Sequence, residues 1–174
     1  AWKKDRLREI GARVVEHAAD YTAACAAARA AAFDHPNKRF IDDENSRDLF
    51  LGYACAVPRL RVQLAEAGIV VDENHPLFLY LPCGVGGAPG GIVWAARLIF
   101  RDNAHGFTAE PVEAPGMTLG LLTGGHGKTS VYSFGLELKT EADGLAVSRP
   151  SQLAGPIMTF LLDGCCTLEE ASLY

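Results

Sequence analysis

No run of apolar residues in this 174-residue chain approaches the roughly 20 that a membrane helix needs, and the first residues lack the apolar centre of a secretory leader. The expectation is a cytoplasmic protein with no membrane contact. Basic residues are outnumbered, 16 Lys and Arg against 21 Asp and Glu, and they are scattered rather than blocked. A net charge of −5 without a basic stripe speaks against nucleic acid as a partner. The five cysteines, at 25, 55, 83, 165 and 166, contain no pair at the two-residue spacing that lets two thiolates reach one metal. Such an odd, unpatterned set fits reduced thiols in a cytosol.

What is present is apolar material in globular proportion. Hydrophobic residues make up 49% and charged residues 21% of the chain, enough for a core. Neither end carries a helix stop or start signal: Trp2 to Arg8 begins inside a helical pattern and Leu168 to Tyr174 again reads as helix. These ends suggest an internal piece or a processed product.

Between the ends, residues 2–9 read as helix stopped by Gly11, and Val14-Val15 suggests a short strand over 12–17. Asp20 is placed to cap an alanine-rich helix through Phe33, and Arg39-Phe40-Ile41 reads as a second strand leading into Asp42-Asp43-Glu44. Ser46 is placed to cap a helix from Arg47 to Ala67, with Gly68 behind it. Leu77 to Leu81 is a continuous apolar run, the pattern of a parallel strand buried on both faces. A glycine-rich turn follows, then a helical stretch from Ile92 to Phe100, a strand over Ala104–Ala109 and a helix over Met117–Leu122. Ser151 to Asp163 reads as a further helix. The alternation predicts an α/β fold with an open, twisted, mostly parallel sheet flanked by helices.

The chemistry concentrates at the turn Pro82-Cys83-Gly84-Val85-Gly86-Gly87-Ala88-Pro89-Gly90-Gly91. Strand, glycine-rich turn and helix together aim several N–H groups and the positive end of a helix at one point, which favours a phosphate. The alternative is a tight turn that only brings helix and strand together. A dinucleotide fingerprint is excluded, because glycines at 84 and 86 would need a third at 89, which is Pro89. Gly124-Gly125-His126-Gly127-Lys128-Thr129-Ser130 ends like a P-loop, but its first required glycine is Leu122 and a helical pattern precedes it.

The segment Leu81 to Gly91 closely resembles the phosphate loop of D-serine dehydratases, within the serine racemase and threonine dehydratase group of fold type II pyridoxal-phosphate enzymes. Further matching segments are Trp2-Lys3-Lys4, Phe40 to Arg47, Leu49 to Tyr53, Ala109-Glu110-Pro111 and Ala142 to Val147. The resemblance implies a tryptophan synthase β-like architecture, incomplete here, with residues 1–37 the remainder of a small domain and 38–174 part of the large one. It implies pyridoxal 5'-phosphate as cofactor and conversion of the amino acid D-serine to pyruvate and ammonia, in a full-length enzyme that is monomeric. In such enzymes the turn matching Gly84-Val85-Gly86-Gly87 holds the phosphate, with Cys83 and Ala88 flanking it, and Gly144 matches a glycine lying against the pyridine ring.

Other residues carry rival readings. Asp42 and Asp43 stand where a strand end meets the ligand crevice and are candidates for the acid that helps hydroxide depart; the bland reading is a solvated turn. Glu110 and Ala114 match two of three metal-holding positions in related racemases, but the third is Gly116, which favours a monovalent cation or none. Asp143 fits local ordering of its loop, and Cys83 fits a small packing residue more readily than a reactive thiol. The family's Schiff-base lysine segment has no match here, so these 174 residues are expected to be inactive alone. The competing functions are a related L-serine or L-threonine dehydratase and a noncatalytic domain that binds a phosphorylated ligand.

Overall fold

The computed structural model describes residues 2–18, 21–33, 35–41 and 43–173. The expected cap Asp20 and the candidate Asp42 lie outside these residues. The chain divides into two compact units, Ala1–Phe40 and Ile41–Tyr174. No helix among the described residues is long and apolar enough to cross a membrane.

The first unit holds α1 (Trp2–Glu9) and α2 (Tyr21–Phe33). Gly11 stops α1 with a φ of 86°, as expected. Lys4 and Arg8 both pair with Glu16, at 2.5 and 3.1 Å, folding the following segment back along the helix. That segment is not the expected strand. Val15 is exposed, and among the described residues no partner offers it a ladder, so β-branched character alone does not make it extended structure. Residues 39–41 are likewise coil.

The second unit opens with α3 (Arg47–Ala54) and α4 (Ala56–Glu66). Ser46 caps α3 as expected, its Oγ accepting from the Leu49 N–H at 3.2 Å, a bond of the type that contributes about 1 kcal/mol. The expected single helix to Ala67 breaks at Cys55 because Pro58 has no N–H for the Ala54 carbonyl. Then come β1 (Leu77–Pro82), α5 (Gly87–Phe100), β2 (Ala104–Pro111), α6 (Gly116–Thr123), α7 (Ala154–Met158) and β3 (Gly164–Leu168).

The three strands form one parallel sheet in the order β1-β2-β3, with Leu77 opposite Ala104 and Phe107 opposite Gly164. Residues Ala104, Gly106, Thr108 and Glu110 of β2 are buried together on one face, where Val93 of α5 fills the space that a side chain at Gly106 would need. Small residues let α5 seat closely against α3: a Cβ at Gly91 would overlap the Phe50 carbonyl oxygen. The other face stays open. Phe78 and Tyr80 are 52% and 61% exposed, and they stack with His105 and Phe107 at centroid distances of 5.0 Å each. The expectation that β1 is buried on both faces is therefore corrected: its residues alternate, because nothing described covers the second face.

β3 occupies a stretch where no strand was expected, and the helix expected over 151–163 contracts to the five residues of α7. Asp163 explains the strand. Its N–H donates to the Gly106 carbonyl at 2.9 Å while its carboxylate accepts from the Gly106 N–H at 2.8 Å, registering β3 on β2. Arg97 at 2.8 Å and His105 at 3.2 Å complete the cluster. Burial pushes the Asp163 carboxyl upward, but the Gly106 amide, His105 and Arg97 outweigh it and hold it below the usual range.

Candidate functional site

The glycine turn lies where β1 hands over to α5. The Cys83 N–H still belongs to the sheet, donating to the Ala109 carbonyl at 3.0 Å. From Gly84 onward the backbone leaves the ladder, and Gly86 caps α5 with φ 101° and ψ 0°, a left-handed conformation that L side chains rarely adopt. A second constraint acts there. A Cβ at Gly86 would overlap Met117 Cε and come within 3.3 Å of Met158 Sδ, so α6 and α7 close in beneath the turn.

No side chain caps α5. Its first N–H groups have no intrahelical acceptors, and Pro89 has no N–H at all, so ladder bonding starts with the Gly90 N–H on the Gly86 carbonyl at 3.0 Å. Among the described residues none accepts from the amides of Gly84 to Ala88. A 14-residue helix thus presents its positive end and a run of free amides at one place, the arrangement that binds an anion.

Two segments from elsewhere in the chain approach this turn. Gly144 is brought to it across the fold: its carbonyl oxygen lies 3.2 Å from where a Cβ of Gly84 would stand. Gly144 is itself exposed, and a Cβ there would meet nothing within 4 Å. On the other side, the Asp43 carbonyl lies 3.4 Å from the Cβ position of Gly87, so the acidic turn abuts the start of α5, with the Asp43 side chain exposed. Cys83 is buried completely among Met117, Ala154 and Met158. Burial, with smaller contributions from Glu110 and Cys165, pushes its thiol well above the usual range. Neither its thiol nor its N–H is available to an anion, so the cradle begins at Gly84.

Glu110 has a different use from the one its sequence context suggested. It is 1% exposed, and its carboxylate accepts from the Met117 N–H at 2.7 Å, the Thr118 N–H at 2.9 Å and the Thr118 hydroxyl at 2.6 Å. These three donors account for both oxygens, and they hold the first turn of α6, which carries Met117 under Gly86. Burial raises the Glu110 carboxyl above the ordinary range, and the bonds from Thr118 and Met117 only partly offset it. Ala114 is buried nearby, its N–H donating to the Pro111 carbonyl at 2.9 Å. Among the described residues no group of three or more His, Cys, Asp and Glu converges as a metal site would.

Sequence reasoning missed Ser151, Met117 and Met158. Ser151 follows Pro150 and precedes a helix, a cap signal, but its long-range partners cannot be read from spacing. The second glycine segment follows α6, contains a single 3-10 turn at His126–Lys128, and strains His126 to a φ of 44°.

A family model described as pyridoxal-phosphate dependent enzyme matches residues 1–174. The chain belongs to this family. Among its relatives is a probable D-serine dehydratase of Geobacillus stearothermophilus, 53% identical over 99% of this chain and 38% of the relative. Another protein of that description, from Halalkalibacterium halodurans, is 54% identical over 99% of this chain and 39% of its own length. The chain thus spans about two fifths of the curated relatives it matches. The fold is that of the T.th. threonine deaminase, with a TM-score of 0.78 at 22% identity, covering 99% of this chain and 52% of the other. Maize serine racemase superposes with a TM-score of 0.76 at 19% identity, over 99% and 48%. The fold type II resemblance drawn from the sequence agrees with these findings.

Proposed function

We propose that the complete protein carrying this chain is a pyridoxal-phosphate dependent D-serine dehydratase, converting D-serine to pyruvate and ammonia. The observation that carries the reading is the glycine cradle, with amides from Gly84 to Ala88 at the start of α5 that no described residue accepts from, and an exposed Gly144 beside Gly84. The relatives' identity of 53 to 54% supports the choice of substrate. When bound, the cofactor supplies an electron sink for the substrate's Cα, so that the β-hydroxyl can depart.

This chain's own residues have four tasks. The amides of Gly84, Val85, Gly86, Gly87 and Ala88 bind the cofactor's phosphate without a positively charged side chain, relying on the helix end for field. Gly144 leaves the ring its place. Glu110, through α6, keeps Met117 packed beneath the turn so that Gly86 cannot flatten. Asp43, in the turn beside the start of α5, is the candidate to move a proton to the departing hydroxyl, and its neighbour Asp42 shares that candidacy. The lysine that takes the cofactor's aldehyde belongs to the length not spanned here, and the 174 residues alone are inactive.

The test is pyruvate formation by the complete protein from D-serine, L-serine and L-threonine, alongside the visible band of bound cofactor. Turnover of D-serine in preference to the L-amino acids supports the reading. A preference for L-threonine or L-serine moves the protein to the related dehydratases. Absence of both band and turnover leaves a noncatalytic phosphate-binding domain.

A further inference from the structure

Three segments that surround the glycine turn meet at one residue. The Ser151 N–H donates to the Val85 carbonyl at 2.7 Å. Its hydroxyl donates to the Glu44 carbonyl, 107 residues away in the chain. The same oxygen accepts from the N–H groups of Leu153 at 3.0 Å and Ala154 at 2.9 Å, which cap α7. Ser151 is 2% exposed, so water does not compete for any of these bonds.

The geometry has a direct bearing on the cradle. A peptide unit is planar and trans, so the Val85 carbonyl and the Gly86 N–H point to opposite sides of the backbone. Fixing the carbonyl on Ser151 therefore fixes the direction of the Gly86 N–H. The hydroxyl bond to Glu44 holds the acidic turn whose Asp43 carbonyl abuts Gly87. The capped α7 delivers Ala154 and Met158 against Gly86 from below. Loop, turn and floor are thus tied to a single buried hydroxyl and its own amide.

We propose that Ser151 is a positioning residue of the phosphate cradle: its hydroxyl anchors the Asp43-Glu44 turn and the start of α7, and so seats the Ser151 amide that orients the Val85–Gly86 peptide to receive a phosphate before any ligand arrives. Preorganisation of this kind lowers the ordering cost of binding, so its loss appears in the phosphate-dependent part of affinity. The inference rests on the reading of the glycine turn as a cofactor phosphate site.

The experiment compares pyridoxal phosphate with pyridoxal, which lacks the phosphate, by titrating the complete protein freed of cofactor. The wild-type ratio of the two affinities measures what the cradle contributes. Ser151→Ala keeps the backbone bond to Val85 but removes the hydroxyl, and it should reduce that ratio about tenfold, the equivalent of ~1.4 kcal/mol. Ser151→Thr, which restores a hydroxyl, should recover most of it. A residue serving stability alone would lower the melting temperature and leave the ratio unchanged in folded protein. If Ser151→Ala does not fold, Ser151→Cys, with a weaker donor of similar shape, replaces it in the same comparison. A ratio within twofold of wild type in a folded Ala or Cys variant overturns the proposal. A wild-type ratio near one instead overturns the cradle reading beneath it.

Discussion

Two glycine-rich segments in this chain look alike on paper and differ in what their surroundings make of them. Gly84 to Gly91 follows β1 and enters a 14-residue helix; Gly124 to Ser130 follows α6 and passes through a single 3-10 turn. In the first, Gly86 takes a left-handed conformation against a floor of Met117 and Met158, and no described residue accepts from the neighbouring amides. In the second, Gly124 also takes positive φ, at 66°, but only to end α6, and the amides of Lys128 and Thr129 are spent on the Gly125 and His126 carbonyls at 2.9 Å each. Glycine content does not make an anion site. A strand that fixes the entry, a helix that supplies the field and amides left unpaired do.

Gly86→Ala adds left-handed strain to overlap with Met117, and the two together should cost about 3 kcal/mol, read as loss of stability and of cofactor affinity. Retained binding would show that the floor beneath the turn yields. Glu110→Ala strips the acceptor from two backbone amides at the start of α6, the helix that packs Met117 under Gly86 and leads into the second segment, and should destabilise by about 2 kcal/mol in denaturant titrations. Its penalty carries a pH signature. Because the folded carboxyl is raised, proton binding favours the native state; Glu110's contribution is fully present below the unfolded pKa of about 4.3 and declines as pH rises through the raised value. The Glu110→Ala penalty should therefore be larger in acid than at neutral pH.

Gly144→Ala separates space from stability. Nothing lies within 4 Å of the added methyl, so the melting temperature should hold while pyridoxal-phosphate affinity falls about tenfold, because the methyl takes space left for the ring. Equal affinity would place the ring elsewhere. Gly124→Ala is the control in the second segment: positive φ alone should cost about 1 kcal/mol of stability, with cofactor affinity untouched.

Much of the cradle was legible in the sequence because it is local. The apolar run 77–81, the glycines behind it and the helix after them are contiguous, and their order fixes the geometry. The helix begins at Gly87, five residues ahead of the apolar pattern, since glycines at a helix start carry no periodicity to read. What escaped was long-range. β3 is registered by two bonds between Asp163 and Gly106, one backbone to backbone and one to the Asp163 carboxylate, and a five-residue segment with two cysteines gives no alternation to betray it. Val14-Val15 erred the other way, being β-branched with no partner. Glu110 was singled out for its match to a metal-holding position, and its bonds to Met117 and Thr118 became visible only once α6 was placed. Ser151 belongs to the same class, its partners Val85 and Glu44 lying far away in sequence.

The central claim is that the amides from Gly84 to Ala88 hold a cofactor phosphate. Titration of the complete wild-type protein with pyridoxal phosphate and with pyridoxal should show the phosphorylated form binding at least ~100-fold more tightly, or about 2.7 kcal/mol. Equal affinity for the two would contradict it.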